Sequence, residues 1–421
     1  MVLLSHPTGN VFVRAALGGL LAAGRLHTFY TTIVAPPEAV LRWLPRGLRR
    51  QLTRRRYDGV PRQLVRTWPW RESVRLTASV LGLSRADGAR RSAGVDAVYG
   101  SLDRHVAARV RRLPPDTVVT AVYCYEDGAD RTFLSARDRG IGCVYDLPIA
   151  YWQTTQRLLH EEADRLPAWR RTLHGIDDSE EKLERKDREL QNADTVVVPS
   201  QFVLQSLPAE ILAGTRCVMA PFGSPPPQPE PPTRRGAPTS LRVLFAGAMT
   251  QRKGLADLFA AMRMLNRSDV ELVVMGPLMA PMEFYRREYA GFIYELPRPH
   301  AEVLELMQTC DVLALPAIVE GRALVQQEAL ACGLPLVVTQ NAGGEDLIDE
   351  GRTGFLIPIR APEELARRIA WLADHRSALP EMRIAARRKA AETGWHDYAA
   401  RVCDAAETTG PAGPLSGSGV S

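Results

Sequence analysis

PAIVEGRALVQQEALACGLP, residues 316–335, is the stretch on which the fold turns. Just ahead of it, DVLALP at 311–316 is an apolar run closed by a proline, the pattern of a buried strand. A short loop leads to Glu320. Apolar and small residues at helical spacing then run from Ala323 and Leu324 to Ala331, and Gly333-Leu334-Pro335 stops them. A strand, a loop and a helix N-terminus leave backbone N–H groups pointing at an anion. Two glutamates flank that place, Glu320 at the end of the loop and Glu328 on the second turn of the helix.

The same alternation runs outward on both sides. LRVLFAG, VELVVMG, FIYEL, PLVVT and GFLIP are strand-like runs separated by helical ones. Pro362, with Glu363 and Glu364 behind it, marks a helix start. Residues 241–395 are therefore predicted to form one βαβ domain. Upstream, Val2 to Leu4, residues 118–125, residues 142–145 and DTVVVP at 194–199 are predicted strands of a second, spanning residues 1–223. Between them residues 224–240 hold seven prolines and read as an extended linker. A helix at 396–409 is expected to return to the first domain, and the Gly-rich tail, 410–421, to be disordered. The fold class is α/β: two doubly wound, Rossmann-like domains with parallel sheets.

A chain of 421 residues with 45% apolar and 24% charged residues has the composition of a globular protein of two or three domains. Its net charge of +5 is uneven: residues 1–200 carry 31 Lys/Arg against 23 Asp/Glu, or +8, and the remainder carries 22 against 25, or −3. The positive half fits an anionic partner or a solvated basic surface. RWLPRGLRRQLTRRR, 42–56, carries seven arginines, with Trp43, Leu44, Leu48 and Leu52 on one predicted face. It reads either as a peripheral membrane contact or as an insertion helix whose arginines meet water. The six cysteines fall mostly in apolar runs without metal-ligand spacing and are expected to be reduced core residues of a cytoplasmic protein. The opening MVLLSHPTGN reads as a strand and a turn rather than a leader, and no uncharged run reaches 18 residues. No aromatic-interleaved basic motif points to nucleic acid.

Arg252-Lys253-Gly254 follows the strand LRVLFAG and opens a helix. Two exposed cations at a helix N-terminus oppose the macrodipole by roughly 0.3–1 kcal/mol each, and a bound anion reverses that sign. In a parallel sheet the loops after strands share one edge, so this loop and the one carrying Glu320 lie together. Together they suit a diphosphate, with Glu328 placed for a ribose and Glu320 for a sugar beyond it. Read otherwise, the cations are a solvated pair, Glu320 a favourable charge near a helix start and Glu328 a surface helix residue. Gly9, in the turn after the first strand, either lets the chain approach a ligand or simply makes the turn. Glu126-Asp127 and Asp146, at strand ends, can hold sugar hydroxyls or act as turn residues. GxGxxG after the first strand, GxxxxGK[ST], GxSxG, HExxH and DxD are all absent, which favours a metal-free diphosphate site.

With these residues in view, 241–395 resembles the retaining glycosyltransferases of family four, which have the GT-B fold of two facing αβ domains. FAGAMTQRKG resembles that family's donor loop, EGRALVQQEALACGLP its E-x7-E motif, and GGEDLIDEGRTGFLIP the segment after it. The resemblance implies that Arg252 and Lys253 bind the donor diphosphate and stabilise it as it leaves. It implies that Glu320 holds the donor sugar and Glu328 the ribose. Gly247 would belong to the donor loop, and the amides of Ala323, Leu324 and Val325 would touch phosphate. Ala248 stands where many members carry an arginine. Arg322 replaces the aromatic of EGFG and is expected beside the sugar. Asp146 stands in for a histidine of the first domain. No cofactor is implied beyond the nucleotide diphosphate sugar as co-substrate. The acceptor would be a saccharide, glycolipid or other hydroxyl compound, used in surface glycan or glycolipid synthesis. Two other classes remain open from sequence: a nucleotide-sugar epimerase of the same fold, and a non-enzymatic module binding anionic lipid.

Overall fold

The computed structural model describes residues 1–80, 94–173, 175–229 and 240–410. Two parallel sheets carry the chain. The first has the order β3-β2-β1-β4-β5-β6-β7, built from β1 (Val2–Ser5), β2 (Leu26–Thr31), β3 (Val65–Thr67), β4 (Ala121–Tyr125), β5 (Gly142–Asp146), β6 (Thr195–Val198) and β7 (Arg216–Met219). The second has the order β10-β9-β8-β11-β12-β13, from β8 (Leu241–Ala246), β9 (Val270–Met275), β10 (Phe292–Glu295), β11 (Val312–Leu315), β12 (Leu336–Thr339) and β13 (Gly354–Ile357). Strands such as VLAL and LVVT are buried at every position, because helices cover both faces of a parallel sheet. Strand order reverses between β1 and β4 and between β8 and β11. Those two switch points open crevices at the carboxyl ends of the strands.

The lobes are knitted together at several places. The proline-rich segment starts against the second lobe, where Ser224 N donates to Thr393 O at 2.8 Å and Gln228 N to Ala331 O at 2.7 Å. Its residues 230–239 lie outside the described residues, as does the predicted disordered tail from 411 onward. The helix Trp395–Glu407 crosses back and buries Tyr398, Ala399 and Val402 in the first lobe. A Cβ on Gly19 would lie 2.8 Å from the Ala399 methyl, so the glycine lets this helix and Val11–Ala22 touch.

Sequence did not foresee that residues 167–172, between two helices of the first lobe, enter the second lobe's core. Trp169 is 2% exposed there, edge-on to Phe284 at 5.0 Å and to Phe259 at 5.9 Å. Its indole N–H donates to Glu288 Oε2 at 3.0 Å. Beside it, the buried Glu162 accepts from Arg165 Nη2 at 2.6 Å, from Gln251 Nε2 at 2.8 Å, and from Arg360. Arg165 also forks onto Asp257, at 2.8 Å on each oxygen. A buried carboxylate is tolerable only with such donors around it.

The arginine-rich segment forms the helix Arg46–Thr53. Leu52 is buried in a small cluster with Leu41 and Leu76, against which Leu44 and Leu48 pack. The apolar face, read either for a bilayer or for an insertion helix, is thus largely used inside the lobe, and Trp43 alone of the four stays out, 89% exposed. Arg55 is buried on Glu72.

Asp146 is not at the surface of any cleft. It is 1% exposed and accepts from Tyr123 OH at 2.5 Å and Tyr398 OH at 3.2 Å. Burial raises its pKa from 3.8 to about 7, against the opposing pull of those two hydroxyls. The sign follows from proton binding. The folded chain holds this proton more tightly than the unfolded one, so stability falls as pH rises from about 4 to about 7 and is level beyond. Asp146→Asn keeps an acceptor for both tyrosines without the buried charge. Its melting temperature is expected to exceed the wild type's at pH 8, by an amount equivalent to a few kcal/mol, and the gap should close toward pH 4.

Candidate active site

The loop after β8 brings two cations to the switch point. Gln251–Lys253 is a single 3-10 turn, capped by Thr250 Oγ1 accepting from Arg252 N at 3.2 Å. Gly254 then turns left-handed (φ 75°) into the helix Leu255–Leu265, so the cations precede that helix rather than form its first turn. The turn is anchored from the first lobe, because Thr250 Oγ1 donates to Thr172 O at 2.6 Å and Gln251 N to Thr172 Oγ1 at 3.1 Å. Gly247 has φ 147°, and a Cβ there would lie 2.9 Å from Lys253 Cδ. Only glycine lets the lysine stem cross the end of β8 and deliver its ammonium to the cleft.

The loop after β11 faces it. Glu320 Oε1 lies 2.8 Å from Lys253 Nζ and 2.9 Å from Arg252 Nη1. Burial pushes the Glu320 carboxyl up, but the charges of Lys253 and Arg252 outweigh it and hold the group below its ordinary value. The charge clash expected at this loop is thus met by a carboxylate of the same lobe. The loop is stitched to its neighbour by Glu320 N on Asn341 O at 3.1 Å and Asn341 Nδ2 on Ile318 O at 2.8 Å. A Cβ on Gly321 would stand 1.8 Å from Pro148 O, and Ser200 Oγ donates to Gly321 O at 2.6 Å. The first lobe therefore abuts the loop directly.

These elements enclose a cleft of about 430 Å³ between the lobes. Gly247, Lys253, Glu320, Ala323, Leu324, Val325 and Glu328 line it from the second lobe, as do Ala246, Met275, His300 and Val303. Phe12, Pro148, Ile149 and Phe222 line it from the first. Phe12 and Phe222 stack at 4.8 Å, which fixes the apolar end. A volume of this size, apolar with a few convergent polar groups, is that of a small-ligand site.

Several expected residues sit otherwise. Arg252 lies behind the wall, its Nη1 also donating to Val319 O at 2.9 Å. Arg322 lines the cleft as expected, but its guanidinium is buried on Gly343 O at 3.2 Å and on Asp346 at 2.5 and 3.0 Å. The Ala323 amide is spent on Ala342 O at 3.1 Å. The amides of Leu324 and Val325 are the first two of the helix Leu324–Ala331, with no helical turn ahead of them to bond. Gly9 sits under Tyr57, where a Cβ would be 2.5 Å from the ring, and does not line this cleft. Glu126 and Asp127 are paired with Lys186, at 2.5 and 3.3 Å.

Sequence reasoning passed over His300. Its Nε2 lies 2.9 Å from Glu328 Oε1, on the wall of the cleft. The hydrogen bond to Glu328 raises the imidazole pKa above 6.5, against a lowering by burial. The available signal was its place after a strand, at the start of a helix, on the same sheet edge as the two loops. Phe12, Phe222 and Ile149 carried no such signal, since apolar residues at a cleft and in a core read alike.

Residues 233–391 match the family of glycosyl transferases group 1. The chain is 31% identical over 174 residues to the D-inositol 3-phosphate glycosyltransferase of Pseudarthrobacter chlorophenolicus, across 39% of this chain and 41% of that protein. The enzyme of that name from Corynebacterium diphtheriae is 30% identical over 174 residues, 38% of this chain and 41% of its own. The match thus spans less than half the length of these relatives. Whole-chain likeness is one of fold. Sucrose-phosphate synthase from Thermosynechococcus elongatus superposes with a TM-score of 0.58 at 15% identity, over 96% of this chain and 97% of its own. Anabaena HepE, solved with UDP and glucose, gives 0.58 at 14% identity over 97% and 99%. The two lobes have the GT-B arrangement.

Proposed function

We propose that this chain, whose residues 233–391 match the group 1 glycosyl transferases, moves a sugar from a nucleotide diphosphate sugar to an acceptor hydroxyl with retention of configuration. The observation that carries this is the convergence of Lys253, Glu320, Glu328 and the amides of Leu324 and Val325 on one inter-lobe cleft. The diphosphate lies between the ammonium and the two amides, and Glu328 accepts from the ribose hydroxyls. Glu320 then grips the donor sugar while still orienting Lys253.

In this scheme the acceptor oxygen bonds to the anomeric carbon on the face from which the diphosphate departs. The bond from that carbon to phosphate oxygen breaks, and a leaving-phosphate oxygen takes the acceptor's proton. No protein nucleophile is needed. The protein's contribution is the fixed positive charge that meets the diphosphate as its own charge grows. Arg252 acts through Glu320 as a positioning residue.

Calorimetric titration with UDP, GDP and ADP, followed by a transfer assay run in EDTA with the sugar of the tightest binder, tests this. UDP goes first, because it is the nucleotide in the Anabaena structure. Absence of heat for every nucleotide would end the proposal.

His300 adds a pH signature. Below 6.5 its imidazolium is fully paired with Glu328, and the pair is lost as pH rises through the raised folded value. A ribose needs the same carboxylate, so proton and nucleotide compete. Nucleotide affinity is expected to rise across that window several-fold more steeply in the wild type than in His300→Ala. Equal slopes would show that the imidazole does not contest Glu328.

A further inference from the structure

Most arginines of the first lobe that face inward meet a carboxylate: Arg55 meets Glu72, Arg137 meets Asp194, Arg185 meets Asp96 and Asp127. A second cavity, of about 370 Å³, opens at the surface of the same lobe. Arg66 and Arg109, both exposed, line it, no acidic residue does, and among the described residues neither guanidinium is ion-paired. Arg66 Nη1 is held by the carbonyls of Gln63 at 2.8 Å and Val65 at 3.1 Å, which position it without neutralising it.

The cavity is assembled from distant parts of the chain. Tyr30 and Arg66 are register partners on β2 and β3, and Arg109 lies in the last turn of the helix Val95–Arg111. One turn earlier, His105 stacks on Trp68 at 4.2 Å and 14°. The Trp68 indole N–H is fixed on Ser101 Oγ at 3.1 Å. Trp70 stands edge-on to Trp68 at 6.4 Å and is 66% exposed at the mouth. Neighbouring groups register the uncompensated positive field. Burial and then Arg109 hold the His105 pKa down. Burial raises the Tyr30 hydroxyl, while Arg109 and Arg66 pull it back.

We propose that this cavity binds a phosphorylated sugar ring. Its phosphate sits between Arg66 and Arg109 with the Tyr30 hydroxyl as a further donor, and its ring lies against Trp68 and Trp70. Guanidinium forks match phosphate oxygens, and aromatic faces cover the C–H face of a pyranose or cyclitol. The volume suits one ring with one phosphate. No residue lines both this cavity and the inter-lobe cleft, so the site is separate from the donor's and does not depend on the transfer chemistry. The ring can arrive as a soluble sugar phosphate or as the headgroup of a lipid, with the same chemistry.

Calorimetry with glucose 6-phosphate tests the soluble form, and co-sedimentation with phosphatidylcholine vesicles, with and without phosphatidylinositol, tests the lipid form. Binding of either probe is expected to weaken at least tenfold in Arg66→Gln/Arg109→Gln and to fall with salt, while nucleotide affinity is unchanged. Glucose without its phosphate should give no heat. Trp70→Ala should weaken glucose 6-phosphate but not inorganic phosphate. Lys253→Ala should bind glucose 6-phosphate like the wild type, which separates the site from the donor cleft. Should the double variant misfold, the exposed Arg109→Gln alone carries the same expectation. Binding that survives the arginine substitutions, or no binding of either probe, overturns the proposal.

Discussion

Lys253→Ala is expected to lower turnover at least a hundredfold while the protein keeps its fold. A preorganised donor aimed at developing negative charge is typically worth about 2.7–4 kcal/mol of barrier, which is a factor of 100 to 1,000. Lys253 meets the structural requirement: its ammonium lines the cleft, and its stem is held across Gly247. The loss should fall on the chemical step in single-turnover measurements, not only on donor affinity. A second signature separates electrostatics from collapse of the loop. Glu320 is held below its ordinary pKa against burial by Lys253 and Arg252, so removing one cation lets it rise. The acidic limb of the pH–rate profile should shift upward in the variant. Near-normal turnover, with that limb unmoved, would take Lys253 out of the mechanism.

Trp169→Ala should be the most destabilising single truncation between the lobes. Removing a fully buried tryptophan typically costs about 3–5 kcal/mol, because the transfer energy is lost and a cavity remains. Here the void opens among Phe259, Phe284 and Tyr285, and Glu288 loses the indole N–H. Scanning calorimetry should show the melting transition lowered by several degrees. It should also broaden or split, because the side chain belongs to one lobe by sequence and to the other by packing. Trp169→Phe, which keeps an aromatic in the slot, should recover much of the loss. A single transition at the wild-type temperature in the alanine variant would show that the lobes are held elsewhere.

How much of this could be read from sequence depended on burial. The second lobe's six strands are mostly apolar runs, interrupted only by single charged residues such as Arg242, Glu271 and Glu295, and each was legible. In the first lobe β3 and β7 were passed over. They lie at the sheet's edges with much of their surface exposed, so VRT and RCVM carry no such run. β2 was missed although central, because LHTFYT mixes polar residues whose partners come from distant loops, such as Thr31 with Tyr57. The cleft was legible where residue chemistry is unusual, as at Lys253, Glu320 and Glu328, with Arg252 behind them. What sequence cannot show is where a side chain is spent. Arg322 and Asp346 lie 24 positions apart, and Asp146 and Tyr398 lie 252 apart. Those long-range contacts occupy the Arg322 guanidinium and bury Asp146, although Arg322 itself still lines the cleft.

The contact of Ser200 and Pro148 with Gly321 carries one more implication. The residue next to Glu320 takes its shape from the opposite half of the molecule. Any parting wide enough to admit a bulky donor must first strip Gly321 of its bond to Ser200. On the proposed reading, the backbone beside Glu320 is then braced from both sides only when the two halves are pressed together. If the donor is the proposed activated sugar, the same brace would guard it, since water could reach it only with Glu320 unsupported from the first lobe.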